Sequence, residues 1–201
     1  MCKRYRKMKT RIILFIISSL VLLGCKQEEK EIKETPISEE SIFNLTSKWK
    51  TQDDKTIEIK DFRGKVTVMV MIYTTCKAAC PRLVADMRDI ESKMPKDKLD
   101  DLNFVLVSID PEVDTPEKLK EFAKVNFMEA PHWTFLQGTK TTVQEFANVL
   151  AVKYKQITPM DFSHSNIISV FNKEGELVHQ QEGLGVNNKE TVEKIIETVN
   201  K

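Results

Sequence analysis

Cys76 and Cys80 are separated by three residues in the stretch Tyr73-Thr74-Thr75-Cys76-Lys77-Ala78-Ala79-Cys80-Pro81. The stretch follows an apolar run, residues 66–73, and precedes a helical pattern beginning near Arg82. Two thiols at that spacing, where a buried strand gives way to a helix, can form a disulfide, a reduced dithiol or a metal-bound dithiolate. The thiolate is the nucleophile and the metal ligand, so its pKa decides what the pair does. Pro81 suits the opening of a helix. Cys80 is therefore expected at or beside the N-cap, where open N–H groups and the helix dipole would lower its pKa.

Thiolates are soft ligands that select Cu(I), zinc or iron–sulfur over hard cations. Zinc asks for four ligands, and no second close cysteine pair is available. One added imidazole would complete a three-coordinate Cu(I) site. The chain has three histidines, His132, His164 and His179. His164 lies in Pro159-Met160-Asp161-Phe162-Ser163-His164-Ser165-Asn166, read as a loop feeding a strand at 167–171. That strand is expected beside 66–73, so its entry loop would face the cysteine loop at the sheet end, where ligands gather in open α/β folds. His132 is expected to pack on Trp133, and His179, beside Gln180 and Gln181, to be solvated. Met69, Met71, Met87 and Met94 fall on core patterns. Met160, close to His164, stays a candidate ligand.

The elements that must position these groups alternate along the chain. Residues 41–45 and 56–59 alternate apolar and polar around Gln52-Asp53-Asp54-Lys55 and read as a hairpin or two short strands. The β-branched, Met-rich run at 66–73 suits a strand buried on both faces. Residues 82–94 carry Leu83, Val84, Met87, Ile90 and Met94 at helical spacing. Residues 102–109 form a second central strand, followed by the loop Asp110-Pro111-Glu112-Val113-Asp114-Thr115-Pro116. There Thr115 reads as a cap and Pro116 as a first helical residue, and Asp110 and Asp114 could serve as additional caps. A short strand at 133–136, a helix at 141–150, a hairpin of 167–171 with 176–179 and a terminal helix at 188–199 complete the pattern. Strands alternating with helices predict an α/β fold around a mixed sheet.

The first 24 residues hold six basic residues and no acid, followed by a short apolar run at 12–23 that ends in Leu22-Leu23-Gly24-Cys25. A basic region, an apolar region and a small residue before the cut make a secretory pattern, and Leu-Leu-Gly-Cys resembles the lipobox of bacterial lipoproteins. Residues 1–24 are thus read as a signal peptide, Cys25 as the lipidated N-terminus and 25–40 as a charged, flexible tether. The alternative is an uncleaved membrane anchor. With the leader and Cys25 set aside, Cys76 and Cys80 are the thiols that remain. Without the leader, twenty-five basic face thirty acidic residues. That mildly acidic balance argues against nucleic acid as a partner.

Three motifs in order, Tyr73-Thr74-Thr75-Cys76-x-x-x-Cys80-Pro81, Ser108-Ile109-Asp110-Pro111-x-x-Asp114-Thr115-Pro116 and Phe162-Ser163-His164-Ser165, resemble the Sco (SenC/PrrC) family. The resemblance runs from about residue 41 to 201. It implies a thioredoxin-like α/β fold, a central mixed sheet flanked by helices with an added N-terminal β-hairpin, over 41–201. It implies a membrane-tethered copper chaperone for the dinuclear copper centre of cytochrome c oxidase, with no turnover chemistry of its own. Cys76, Cys80 and His164 become the ligands of copper, as Cu(I) and also Cu(II), and Asp110 and Asp114 match the family's acidic loop beside the site. The implied partners are a copper acceptor such as the oxidase copper subunit, other copper chaperones or thioredoxin-like reductants, and the membrane through the lipid. The implied location is the bacterial cell envelope, on the extracytoplasmic side. Three other readings stand beside it: a thiol–disulfide oxidoreductase using Cys76 and Cys80, a copper or redox sensor, and an inert structural disulfide.

Overall fold

The fold is built outward from the run Val66–Ile72 (β3), whose seven residues are all buried. A strand buried on both faces has no face to give to water and sits mid-sheet. In the computed structural model, which describes residues 36–158 and 161–201, β3 lies between two neighbours. The leader, Cys25, most of the tether and Met160 lie outside the described residues. On one side β3 pairs in parallel with Leu102–Ser108 (β4), on the other antiparallel with Ile167–Phe171 (β8). The expected neighbour of the central strand is therefore the one observed.

Residues Ile37–Lys201 form one unit. Its main sheet has seven strands in the order β2-β1-β5-β4-β3-β8-β9, with β1 Lys48–Thr51, β2 Thr56–Glu58, β5 Trp133–Gln137 and β9 Leu177–Glu182. Strands β3, β4 and β5 run parallel and the outer pairs antiparallel, so the sheet is mixed. Four α-helices connect or cover these strands: α1 Cys80–Ser92, α2 Pro116–Val125, α3 Lys140–Val149 and α4 Lys189–Val199. Helix α1 buries Leu83, Val84, Met87 and Ile90, each contributing roughly 1.5–3 kcal/mol relative to exposure. Met69, Met71 and Met94 join the same core.

Two segments differ from the sequence reading. Residues 41–45 are not a strand: Ile42–Asn44 is a 3₁₀ turn, capped by the Ser41 hydroxyl, which accepts from the Phe43 N–H at 3.1 Å. Ile42 and Phe43 are buried consecutively, which a one-faced strand cannot do. They seat against Gly175, where an added Cβ would lie 2.6 Å from Ser41 Oγ and 2.7 Å from Phe43. The hairpin is made instead by β1 and β2. Its turn takes a left-handed residue at Asp54 (φ 57°), a conformation that Asp tolerates.

The second difference concerns 154–166. Tyr154–Thr158 (β6) and Asp161–His164 (β7) form a separate two-stranded antiparallel sheet. What read as a loop is an appended hairpin, and His164 is the last residue of its second strand. Its β6 positions are mostly exposed, so no apolar alternation marked them as strand.

Candidate metal centre

At the end of β3 the chain turns. The Cys76 N–H bonds to the Tyr73 carbonyl at 3.3 Å, and four residues later Cys80 opens α1, with Ala79 at the N-cap and Pro81 in the first turn. Both cysteines are free thiols in this structure. The Cys80 backbone N–H, one of the open donors of the helix start, points at the Cys76 sulfur at 3.3 Å.

This arrangement reverses the expectation for the thiols. Burial alone would push Cys76 up, but hydrogen bonds from the Cys80 N–H, the Tyr73 hydroxyl and the Ala78 N–H outweigh it and hold this thiol below its usual range. Burial pushes the Cys80 thiol up, and the neighbouring Cys76 sulfur and Asp114 carboxylate add to the rise. The physical reason is directional: the open N–H groups of a helix point back along the axis, toward the residue before it. Iodoacetamide at pH 7 is accordingly expected to label Cys76, 8% exposed, well ahead of Cys80, 0% exposed. Peptide mass mapping reads the order, and equal labelling would contradict the assignment.

His164 reaches the same place from β7. Its Nδ1 lies 3.0 Å from the Ser165 carbonyl, an acceptor only, which puts the ring proton on Nδ1 and leaves the Nε2 lone pair free. Nε2 stands 3.9 Å from Cys80 Sγ. Burial lowers the imidazole pKa, keeping it neutral near pH 7. Two donors sharing one ion, with bonds of about 2.3 Å to sulfur and about 2.0 Å to nitrogen, sit roughly 3.5–4 Å apart. The pair fits that span. Among the described residues no group of three His, Cys, Asp or Glu lies close enough together to hold a metal ion as it stands. The three candidates meet pairwise, Cys76 with Cys80 and Cys80 with His164.

The acidic loop supports the site without entering it. Asp114, fully buried, accepts from the Thr74 backbone N–H at 3.1 Å, from the Thr74 hydroxyl and from the Ser108 hydroxyl at 2.6 Å. It thereby ties the turn before Cys76 to the end of β4. Neither acid caps α2: Thr115 does, its hydroxyl accepting from the Lys118 N–H at 3.4 Å. The Asp110 carboxyl is raised by burial and by the nearby Asp114 and Glu112 charges.

The other histidines are structural. His132 stacks near Trp133, as expected, and bonds Glu91 Oε1 through Nε2 at 2.6 Å. His179 is not solvated; half-buried between β9 and α4, it bonds Thr191 Oγ1 at 3.0 Å. Tyr73, Thr74 and Ser108 stand in the motifs without a role that their residue types alone assign. The signal was a Tyr closing an otherwise apolar, buried run, since a buried hydroxyl needs a partner.

The sheet, the helices around it and the free dithiol at the strand-to-helix junction define a thioredoxin-like protein. The chain belongs to the SCO1/SenC family, whose family model matches residues 36–200. It is 32% identical over 100 residues to the SCO1 protein homolog of Bacillus subtilis (strain 168), covering 49% of this chain and 51% of that protein. The match thus spans about half the length of that curated relative. Arabidopsis thaliana ScoI with copper bound superposes with a TM-score of 0.68 at 20% identity, over 77% of this chain and 96% of that one. BsSco, described as a member of the Sco family of cytochrome c oxidase assembly proteins with a disulfide switch, gives 0.67 at 24% identity, over 76% and 91%. Likeness at these identities speaks for the fold.

Proposed function

We propose that this protein is a copper metallochaperone that holds Cu(I), and also takes Cu(II), through Cys76, Cys80 and His164. It passes the ion to an exported or membrane-bound acceptor, the dinuclear copper centre of cytochrome c oxidase. The observation that carries the reading is the approach of His164 Nε2 to Cys80 Sγ at 3.9 Å, with Nδ1 already committed to Ser165. The naming of Arabidopsis thaliana ScoI with copper, and of BsSco among oxidase assembly proteins, supports it.

Copper is cargo here, not a resident catalyst. Binding displaces a proton from each thiol that is still protonated, so affinity depends on pH through the cysteines. Cys76 is the less buried sulfur and the thiol held below its usual range, which makes it the natural point for an acceptor thiolate to exchange. Cys80 and His164 hold the ion meanwhile. No electron moves in this transfer.

The lowered Cys76 thiol beside Cys80 favours a second reading, thiol–disulfide exchange. Cys76 thiolate attacks a partner disulfide and releases one partner thiolate. Cys80 then displaces the second, so two electrons pass to the partner and Cys76–Cys80 becomes the disulfide. Both activities fit an envelope protein tethered through lipidated Cys25, with other copper chaperones and thioredoxin-like reductants as partners.

Anaerobic titration of the reduced chain with Cu(I), against a chromophoric chelator, tests the copper reading. One tightly held ion per chain is expected. Binding no stronger than that of a chain with both Cys76 and Cys80 changed to Ser would end it, and the reduction potential of the pair would then become the quantity to measure.

A further inference from the structure

Tyr73 touches every part of the site. Its backbone carbonyl accepts from the Cys76 N–H at 3.3 Å, and its backbone N–H faces the Cys80 sulfur. Its side chain, 4% exposed, crosses from the end of β3 to the appended hairpin. There the hydroxyl accepts from the Phe162 N–H at 3.3 Å and lies 3.4 Å from the Phe162 carbonyl. The same hydroxyl is within hydrogen-bonding reach of the Cys76 sulfur. The ring packs 5.2 Å from Phe162 and edge-on, 6.0 Å, from His164.

A hydroxyl carries one proton and two lone pairs. Accepting from the Phe162 N–H uses one lone pair, and its single proton goes either to the Phe162 carbonyl or to Cys76. Phe162 is two residues before His164, so in a strand both side chains stand on the same face. Fixing the Phe162 backbone therefore fixes where the imidazole stands. Among the described residues β7 pairs with β6 and not with the main sheet, which makes a side-chain tie across that boundary consequential.

We propose that Tyr73 is a positioning residue, whose hydroxyl clamps β7 to the dithiol turn and so holds His164 Nε2 beside Cys80. Its consequence for metal affinity rests on the copper reading above; the clamp itself does not.

Two measurements separate the cases. The first needs no metal. In the reduced native chain, amide hydrogen exchange at Phe162 is slow, and Tyr73→Phe speeds it about tenfold or more while the amides of Val68 and Val105 in the main sheet stay within about twofold. Phe162 exchanging in the native chain as fast as an unbonded amide, or unchanged by the substitution, overturns the clamp whether or not copper binds.

The second is a double-mutant cycle on Cu(I) affinity. Tyr73→Phe is expected to weaken binding about tenfold, the lower end of what losing a residue that orients a metal ligand does. In a His164→Ala background the same change should alter affinity by less than about twofold, because the ligand it positions is gone. A tenfold loss in both backgrounds would mean that Tyr73 acts through the Cys76 thiol or through general stability, not through His164, and would overturn the proposal. If the native chain holds no Cu(I), the copper reading falls, and the clamp is decided by amide exchange alone.

Discussion

The reduced His164→Ala chain is expected to hold Cu(I) about 100-fold or more weakly than the native chain, since even a residue one step removed from a metal typically contributes 10- to 100-fold. Cys76→Ser and Cys80→Ser should each lose more, because they exchange a soft thiolate for a hard hydroxyl that stays protonated. The two serines differ in a second way. At Cys80 the hydroxyl would be fully buried, and an unpaired buried hydroxyl costs about 1–3 kcal/mol of stability. Cys80→Ser should thus lower the melting temperature as well as affinity, whereas His164→Ala should leave the cysteine order of alkylation intact. Chelator competition beside calorimetry reads both. Native-like affinity in the histidine variant would remove His164 from the ligand set and leave a dithiolate alone.

Asp114→Ala is expected to produce the largest stability loss at the site. The native carboxylate accepts from the Thr74 N–H, the Thr74 hydroxyl and the Ser108 hydroxyl inside a fully buried pocket. Alanine orphans all three donors at about 1–3 kcal/mol each. A loss of about 3 kcal/mol or more follows, a fall in melting temperature of roughly 6–12 °C for a domain of this size. A second consequence is electrostatic. Asp114 helps push the Cys80 thiol up, so its removal should bring the Cys80 titration down the pH scale, which thiolate absorbance can follow. A melting change below about 2 °C would show that the loop satisfies its donors without Asp114.

Much of this was legible in the residues, and the reasons are physical. The run at 66–73 is β-branched and Met-rich with no alternation of polar positions, as a central strand buried on both faces requires, so the junction with α1 and the place of Cys76 and Cys80 followed. His164 was legible because its strand had to neighbour β3, which fixed the end of the sheet it reached. The low-pKa sulfur was not, because it depends on which way the open N–H groups of α1 point, and they point at Cys76 rather than Cys80. Nor was the hairpin of 154–164, whose exposed strands lack an apolar face. His179 looked solvated because a strand-end His among glutamines carries no sign of the helix that covers it. The 3₁₀ turn at Ile42–Asn44 imitated alternation over too few residues to be told from a strand.

The division between the seven-stranded sheet and the β6–β7 hairpin has a mechanical consequence. Cys76 and Cys80 belong to the sheet and its first helix, while His164 belongs to a two-stranded ribbon, a structure that on its own is only marginally stable in water. The ribbon's base is tied by Ser165 N–H to the Lys153 carbonyl at 2.8 Å and by Lys153 N–H to the Ser165 hydroxyl at 3.3 Å. An ion held as proposed would be gripped by a stiff jaw and a compliant one. On the copper reading, once an acceptor thiolate has replaced Cys76, the compliant side would yield next, His164 before Cys80, and the core need not deform to let the ion go.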